Sequence, residues 1–334
     1  MVIKIKKLKV SSLMIIDLLC ICFGFGLFCL FHFGIDLSAD PDPVTLIPAD
    51  FSMPPSGSDP GLSADNFSTH VNETVSAGFE ESGTVDGLFG EKFADRFTDG
   101  EVIRTETTYR SKNINITVSH TEKDGVICNI AEIYIRDLKY LKTAFGGDGF
   151  KKKTEMLSDL AERHSAVLAI SGDHYGARSK GTVVRNGVLY RNTLFEDVGI
   201  LTNDGELITM SAAEYDPNAL VASGAWQIWS FGPELLRNGN VKTSFISNVK
   251  RANPRTAIGC VEPGHYYFVE VDGRIKDSRG LTMEQLSELF YDLGCTTAYN
   301  LDGGQTSGFW WNGSLLSYPY GRPVWDMIYI GEDE

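Results

Sequence analysis

Three short polar clusters interrupt a chain whose strand-like runs are otherwise apolar, and each puts a charged side chain where a strand meets a loop. The first, Ser171-Gly172-Asp173-His174-Tyr175, ends the run "SAVLAISG". The second, Asn253-Pro254-Arg255-Thr256, opens the run "TAIGCV". The third, Asn300-Leu301-Asp302-Gly303-Gly304-Gln305-Thr306-Ser307, follows "TTAY". A strand end is rigid on one side and open on the other, which favours chemistry there. Carboxylates such as Asp173 and Asp302 can stabilise positive charge, attack as nucleophiles or activate water. The guanidinium of Arg255 matches phosphate oxygens and keeps its charge near neutrality. Gly303 and Gly304 let a ligand approach the main chain, where amides add donors. Each cluster also has a plainer reading. Asp173-His174 can close a turn by bonding backbone amides, Arg255 can be an ordinary ion-pair partner, and Asp302-Gly303-Gly304 can be a tight hairpin turn. The clusters gain force together.

The elements that must position them are legible from periodicity. "NINITVSH" and "VICNIAEIYIRD" alternate around Asp124-Gly125, as a hairpin does. "TEMLSDLAERH" places Met156, Leu157, Leu160 and Ala161 on one helical face. "SAVLAISG" is apolar throughout and predicts a strand buried on both faces. Further turns fall at Asn186-Gly187, Asp204-Gly205 and Asn312-Gly313. "TAIGCV", "HYYFVEVDGRI", "TTAYNL" and "WDMIYI" read as strands. "TMEQLSELFYDLG" reads as a helix with a Thr282/Gln285 capping box and a stop at Gly294. The pattern predicts an α+β fold: mostly antiparallel sheet with two or more packed helices, a single domain over 96–334.

The amino terminus is a different material. Lys4, Lys6, Lys7 and Lys9 precede an apolar run from Leu13 to Ile35. That length suits one membrane crossing, which needs about 20 apolar residues. The lysines favour the cytoplasmic side. The expected plan is a basic cytoplasmic tail at 1–12, a transmembrane signal-anchor at 13–35, and a flexible Pro/Ser/Gly/Asp-rich stalk at 36–95. The domain would then lie extracytoplasmically at the cell membrane. A cleaved signal peptide ranks second and a buried core helix third. The formal net charge of -14 argues against a nucleic-acid partner. Of six cysteines, only Cys128, Cys260 and Cys295 lie beyond the apolar run, so at most one bridge can form among them. No CxxC or HExxH supports a zinc site.

The order "LAISGDHYG … VVRNGVLY … GPELLRNG … NPRTAIG … VDGR … LGCTTAYNLDGGQTSGFWWNG" resembles the phosphodiester glycosidase family over residues 130–331, as a bacterial, membrane-anchored member. Ser171, His174 and Gln305 depart from the family's usual Asn, aromatic and small residue, while Asp173, Arg255 and Asp302 are kept. The resemblance implies hydrolysis of a glycosyl-1-phosphodiester at a cell-surface or exopolysaccharide substrate. Asp302 and Asp173 would serve the sugar carbon, and Arg255 the leaving phosphate. Asn300, Gly303, Gly304, Gln305, Thr306, Ser307, His174, Tyr175 and Thr256 would bind substrate, with Trp310 or Trp311 stacking on a sugar face. No cofactor is required on this reading, and a structural calcium is compatible with it. The partners implied are the carbohydrate substrate and, through residues 13–35, a lipid bilayer. Two other readings stay open. One is a non-catalytic module for a phosphate-containing wall polymer. The other is a metal-dependent phosphodiesterase using Asp173, His174 and Asp302.

Overall fold

The alternating run Ile114–Lys123 folds back at Asp124-Gly125 and pairs in register with Val126–Ile135, from Lys123 opposite Val126 to Ile114 opposite Ile135. Asp124 and Gly125 have φ of 54° and 69°, the left-handed pair that a two-residue hairpin turn needs. The structure, a computed structural model, describes residues 87–332 apart from 246–249, together with the Val44–Thr45 strand. The expected tail and membrane span, and the stalk up to residue 86 apart from that strand, lie outside the described residues. Among the described residues no helix is long and apolar enough to cross a membrane.

In chain order the elements are β1 (Ile103–Arg104), β2 (Thr108–Arg110), β3 (Ile114–Lys123), β4 (Val126–Ile135), β5 (Leu141–Phe145), α1 (Leu157–Arg163) and β6 (Leu168–Ser171). Then come β7 (Val183–Arg185), β8 (Val188–Arg191), β9 (Val198–Leu201), β10 (Leu207–Met210), α2 (Pro217–Ser223), β11 (Gln227–Trp229), β12 (Glu234–Arg237) and β13 (Asn240–Val241). The chain closes with β14 (Arg255–Glu262), β15 (His265–Asp272), α3 (Met283–Asp292), β16 (Thr297–Leu301), β17 (Phe309–Trp311), β18 (Ser314–Leu315) and β19 (Asp326–Ile330).

These strands form three antiparallel sheets. The largest runs β13-β12-β16-β14-β15-β4-β3-β2-β1, the second β18-β17-β6-β19-β5, and the third β8-β7-β11-β9-β10, with Val44–Thr45 added beside β8. The expectation of an α+β fold with two or more helices holds, with three helices among the described residues. α2 escaped because "PNALVAS" is a single short helix with little periodicity.

Each helix covers one sheet. Met283, Leu286 and Phe290 of α3 pack on Ala257, Val269 and Ala298 of the largest sheet. Its Thr282/Gln285 capping box forms as the sequence predicts. Leu157, Leu160 and Ala161 of α1 pack on Ala169 and Met327 of the second sheet. Leu220 of α2 packs on Val198, Ile200 and Ile228 of the third. A fourth cluster joins the sheets, with Ile133, Ile170, Trp229, Tyr299 and Ile328 at its centre. Phe89, Phe93 and Phe97 are buried in that same cluster. Packed chain therefore includes residues that the sequence reading gave to the stalk. Cys128, Cys260 and Cys295 are buried free thiols.

Candidate active site

Three strand ends meet where the second sheet abuts the largest. β6 stops at Ser171, β16 stops at Leu301, and β14 begins opposite β16 with Thr256 facing Leu301. The two sheets are tied there by main chain, since the Asp302 amide donates to the Gly172 carbonyl at 2.9 Å. Side chains add to this. Ser171 Oγ lies 2.8 Å from the Asp302 carbonyl oxygen and 3.0 Å from Thr256 Oγ1. Thr256 Oγ1 lies 3.4 Å from Ser307 Oγ. The hydroxyls of the three polar clusters thus form one buried seam.

Above the seam stands a carboxylate–imidazole pair. His174 Nδ1 is 3.1 Å from Asp302 Oδ2, and both side chains keep an opening to solvent, 22% and 13% exposed. Asp302 starts a turn that needs its glycines. A Cβ on Gly303 would stand 2.8 Å from the Pro254 carbonyl oxygen, so only glycine lets this turn lie against the Asn253-Pro254-Arg255 segment. Gly304 has φ of +68°, and a Cβ there would come within 3.6 Å of Arg274 Nη1. The Gly304 amide itself donates to the Pro254 carbonyl at 3.0 Å. Arg274 is exposed, and Nε and Nη2 both reach Asn253 Oδ1, at 2.9 and 2.7 Å. Its cation therefore flanks the glycine turn. Beyond Gln305, Thr306 and Ser307 a small open cleft continues between Tyr318, Tyr320 and Arg322.

The other residues read from sequence lie elsewhere. Asp173 is buried, and its Oδ2 accepts from the Ser230 amide at 2.8 Å and from Arg185 Nη2 at 3.3 Å. Arg185 also donates through Nε to Asp326 Oδ2 at 2.8 Å, and Asp326 Oδ1 accepts from the Asp173 amide at 2.7 Å. One buried guanidinium is shared by two carboxylates. Burial pushes Asp326 up to about 6, against the pull of Arg185, while the negative charge of Asp173 adds to the rise. Strand alternation separates Arg255 from its neighbour. Thr256 points to Ser171, so Arg255 points with Ala257 to the α3 side. There it donates from Nε to the Leu281 carbonyl at 3.0 Å and from Nη2 to the Arg251 carbonyl at 2.5 Å. Burial, and secondly the charge of Arg274, push Arg255 down to about 10.

Asn300 shares that side. Its Nδ2 donates to the Gly232 carbonyl at 2.7 Å, holding the segment before β12. Tyr175 is buried and stacks on Phe150 at 5.2 Å, inside an aromatic group with Phe145. Trp310 and Trp311 are both buried, donating to the carbonyls of Ala166 and Glu106. Thr306 Oγ1 closes on the Gly303 carbonyl at 2.7 Å, and Gln305 is exposed. The structure thus gathers His174, Asp302, Thr256, Ser307 and the Gly303-Gly304 turn. It sets Asp173, Arg255, Asn300 and Tyr175 into surrounding packing. For the metal-dependent reading this matters, because Asp173 turns from Asp302 toward Arg185. Among the described residues no three of His, Cys, Asp and Glu group closely enough to hold a metal ion.

Sequence reasoning passed over three residues of the site and its support. Arg274 had a signal: it follows the turn dipeptide Asp272-Gly273 directly, and in the structure it has a positive φ of 57°. Arg185 and Asp326 had none, because each sits at the end of an ordinary strand and is paired only by tertiary contact.

Antiparallel sheets with a solvent-reaching carboxylate–imidazole pair at abutting strand ends define the class: an α+β protein built around a polar strand-end site. The chain belongs to the phosphodiester glycosidase family, whose model matches residues 164–331. It is 31% identical over 169 residues to the SPbeta prophage-derived uncharacterized protein YomE of Bacillus subtilis (strain 168), covering 46% of this chain and 25% of that protein. It is 27% identical over 230 residues to N-acetylglucosamine-1-phosphodiester alpha-N-acetylglucosaminidase of Mus musculus, covering 60% of this chain and 43% of the mouse protein. The chain thus spans less than half the length of these relatives. Its fold is that of the zebrafish N-acetylglucosamine-1-phosphodiester alpha-N-acetylglucosaminidase catalytic domain auto-inhibited by pro-peptide. That match has a TM-score of 0.54 at 24% identity and covers 66% of this chain and 83% of that one.

Proposed function

We propose that the protein hydrolyses a glycosyl-1-phosphodiester, releasing the sugar and a phosphomonoester. The observation that carries this reading is Asp302, a carboxylate open to solvent on a glycine turn flanked by the Arg274 cation. Cleaving the anomeric carbon–oxygen bond creates positive charge on the sugar and negative charge on phosphate. Asp302 serves the first. The second falls to Arg274 beside Gly304, whose guanidinium suits phosphate oxygens. The phosphomonoester has a second pKa of about 6, so it departs as an anion with little protonation. Arg255 acts here through the Arg251 and Leu281 carbonyls that it fixes, and so holds the segment against which the glycine turn lies. Gln305, Thr306 and Ser307 line the start of the cleft, which would receive the rest of the substrate. Family membership and the name of the mouse relative make an N-acetylglucosamine-1-phosphodiester the first substrate to try. In the cell the domain would work outside the membrane, held by residues 13–35 and reaching a surface or wall polymer through the stalk.

The test is to incubate the full chain with the methyl phosphodiester of N-acetylglucosamine-1-phosphate and measure released sugar. Asp302→Ala should melt as the wild type does and lose about 10²–10⁴-fold in turnover. Wild-type turnover in Asp302→Ala overturns the assignment. Binding of the diester without any release would favour the non-catalytic wall-polymer module.

A further inference from the structure

We propose that His174 is the general base of this site, with Asp302 as its orienting partner, and that water attacks the sugar directly. The inference rests on the hydrolase reading above and assigns the proton within it. His174 Nδ1 faces Asp302 Oδ2 at 3.1 Å. An ionised carboxylate can only accept, so the ring donates from Nδ1 and leaves the Nε2 lone pair for another group. The imidazole is also held from a second side, where its ring meets Phe231 edge-on at 6.5 Å. At 22% exposure it remains open to a ligand.

The second carboxylate of a glycosidase pair is not on offer at this position. Asp173, the neighbouring acid, is fully buried and is held by Arg185 and the Ser230 amide. Asp302, with one oxygen bonded to the imidazole, is a weakened nucleophile. The base must therefore be His174 itself. In the step, a water oxygen bonds to the anomeric carbon and gives its proton to His174 Nε2. The bond from that carbon to the phosphate oxygen breaks, and its electron pair leaves with the phosphomonoester. The imidazolium, stabilised by Asp302, later returns the proton to solvent. A single displacement inverts the anomeric centre.

The charged groups around the ring are few. Asp302 faces it from the turn after β16. Arg178 lies over the Phe231 ring, 5.1 Å from its centroid. Asp173 on the same segment is paired with Arg185, which also binds Asp326 of β19. Protonating the ring removes the base, so kcat/KM should carry an acid limb that belongs to His174.

The full chain is assayed on the methyl phosphodiester of N-acetylglucosamine-1-phosphate across pH, with the product anomer read by nuclear magnetic resonance. We expect inversion in the wild type. His174→Gln should lose about 10²-fold or more in kcat with KM changed only a few-fold, and should lose the acid limb. Added imidazole should restore part of the turnover of His174→Ala, which a merely structural histidine would not allow. Retention of configuration, or an unchanged acid limb in His174→Gln, overturns the assignment while leaving the hydrolase reading intact. No sugar release by the wild type overturns both.

Discussion

At the scale of single residues the site separates cations by task. Arg255 and Arg185 are buried and spend their donors on protein groups, whereas Arg274 is exposed beside the glycine turn. Three substitutions should therefore give three different results. On the proposed hydrolase reading, Arg274→Gln removes a charged donor worth about 1.5–3 kcal/mol to a phosphate, so kcat/KM on the diester should fall about 10–100-fold with the melting temperature kept. Arg274→Lys should recover only part, because an ammonium lacks the planar fork. Arg185→Leu instead leaves Asp173 and Asp326 facing each other without a cation. Breaking a buried pair in this way costs about 3–5 kcal/mol, and denaturant melts should show it whatever happens to activity. If Arg185→Leu melts like the wild type, the shared guanidinium is not holding the β6–β19 junction.

At the scale of elements, β15 carries a feature that its sequence announces only as alternation. Glu270 and Asp272 lie two residues apart on one face, and Glu270 is fully buried. Its Oε2 accepts from Asn129 Nδ2 at 2.9 Å, and Asn129 Oδ1 is 2.9 Å from His120 Nδ1. Its Oε1 has no hydrogen-bond partner as a carboxylate. Burial and the adjacent Asp272 charge hold Glu270 well above its ordinary 4.5, so it keeps a proton that it can give to Asp272. The sign follows from linkage. The folded state retains a proton that the unfolded chain releases above 4.5, so stability is greatest below that pH and declines above it. Each pH unit costs up to about 1.4 kcal/mol. Glu270→Gln keeps an acceptor for Asn129 and a donor for Asp272 without the titration. Its unfolding free energy should match the wild type near pH 4 and exceed it increasingly as pH rises. A constant difference across pH would show that Glu270 is ionised in the fold. The same strands explain what was legible beforehand. Hairpins at Asp124-Gly125, Asn186-Gly187 and Asn312-Gly313, and the capped helix α3, are local, and the sequence predicts each of them. The polar clusters themselves point to Asp302 and His174. The direction of Arg255 was not legible, because it depends on which face of β14 meets α3. The burial of Asp173 depends on Arg185 and Asp326, and those lie 12 and 153 positions away.

At the scale of the whole molecule the question is where the cooperative unit begins. The apolar spacing before residue 96 is too sparse to predict an element, yet Phe89, Phe93 and Phe97 are 5%, 7% and 6% exposed within the cluster that joins the sheets. Main chain ties them in as well, since the Phe89 amide donates to the Arg136 carbonyl at 2.8 Å, next to the end of β4. Phe93 meets Tyr134 of β4 edge-on at 5.2 Å, and Gly264 at the β14–β15 turn leaves room for the Phe89 and Phe93 rings. Three such side chains contribute about 1.5–3 kcal/mol each when buried. Their sum is comparable with the total stability of a typical domain, about 5–15 kcal/mol. A chain starting at residue 87 should therefore melt within a few degrees of the full-length protein and release sugar from the proposed glycosyl phosphodiester at the rate the full chain does. A chain starting at residue 99 loses all three phenylalanines and opens the underside of β4 and β15. It should melt far lower or fail to fold, although every residue of the candidate site is retained. Equal melting of the two truncations, followed by calorimetry or circular dichroism, would place the start of the unit after Phe97. That result would reduce the phenylalanine segment to a passive covering.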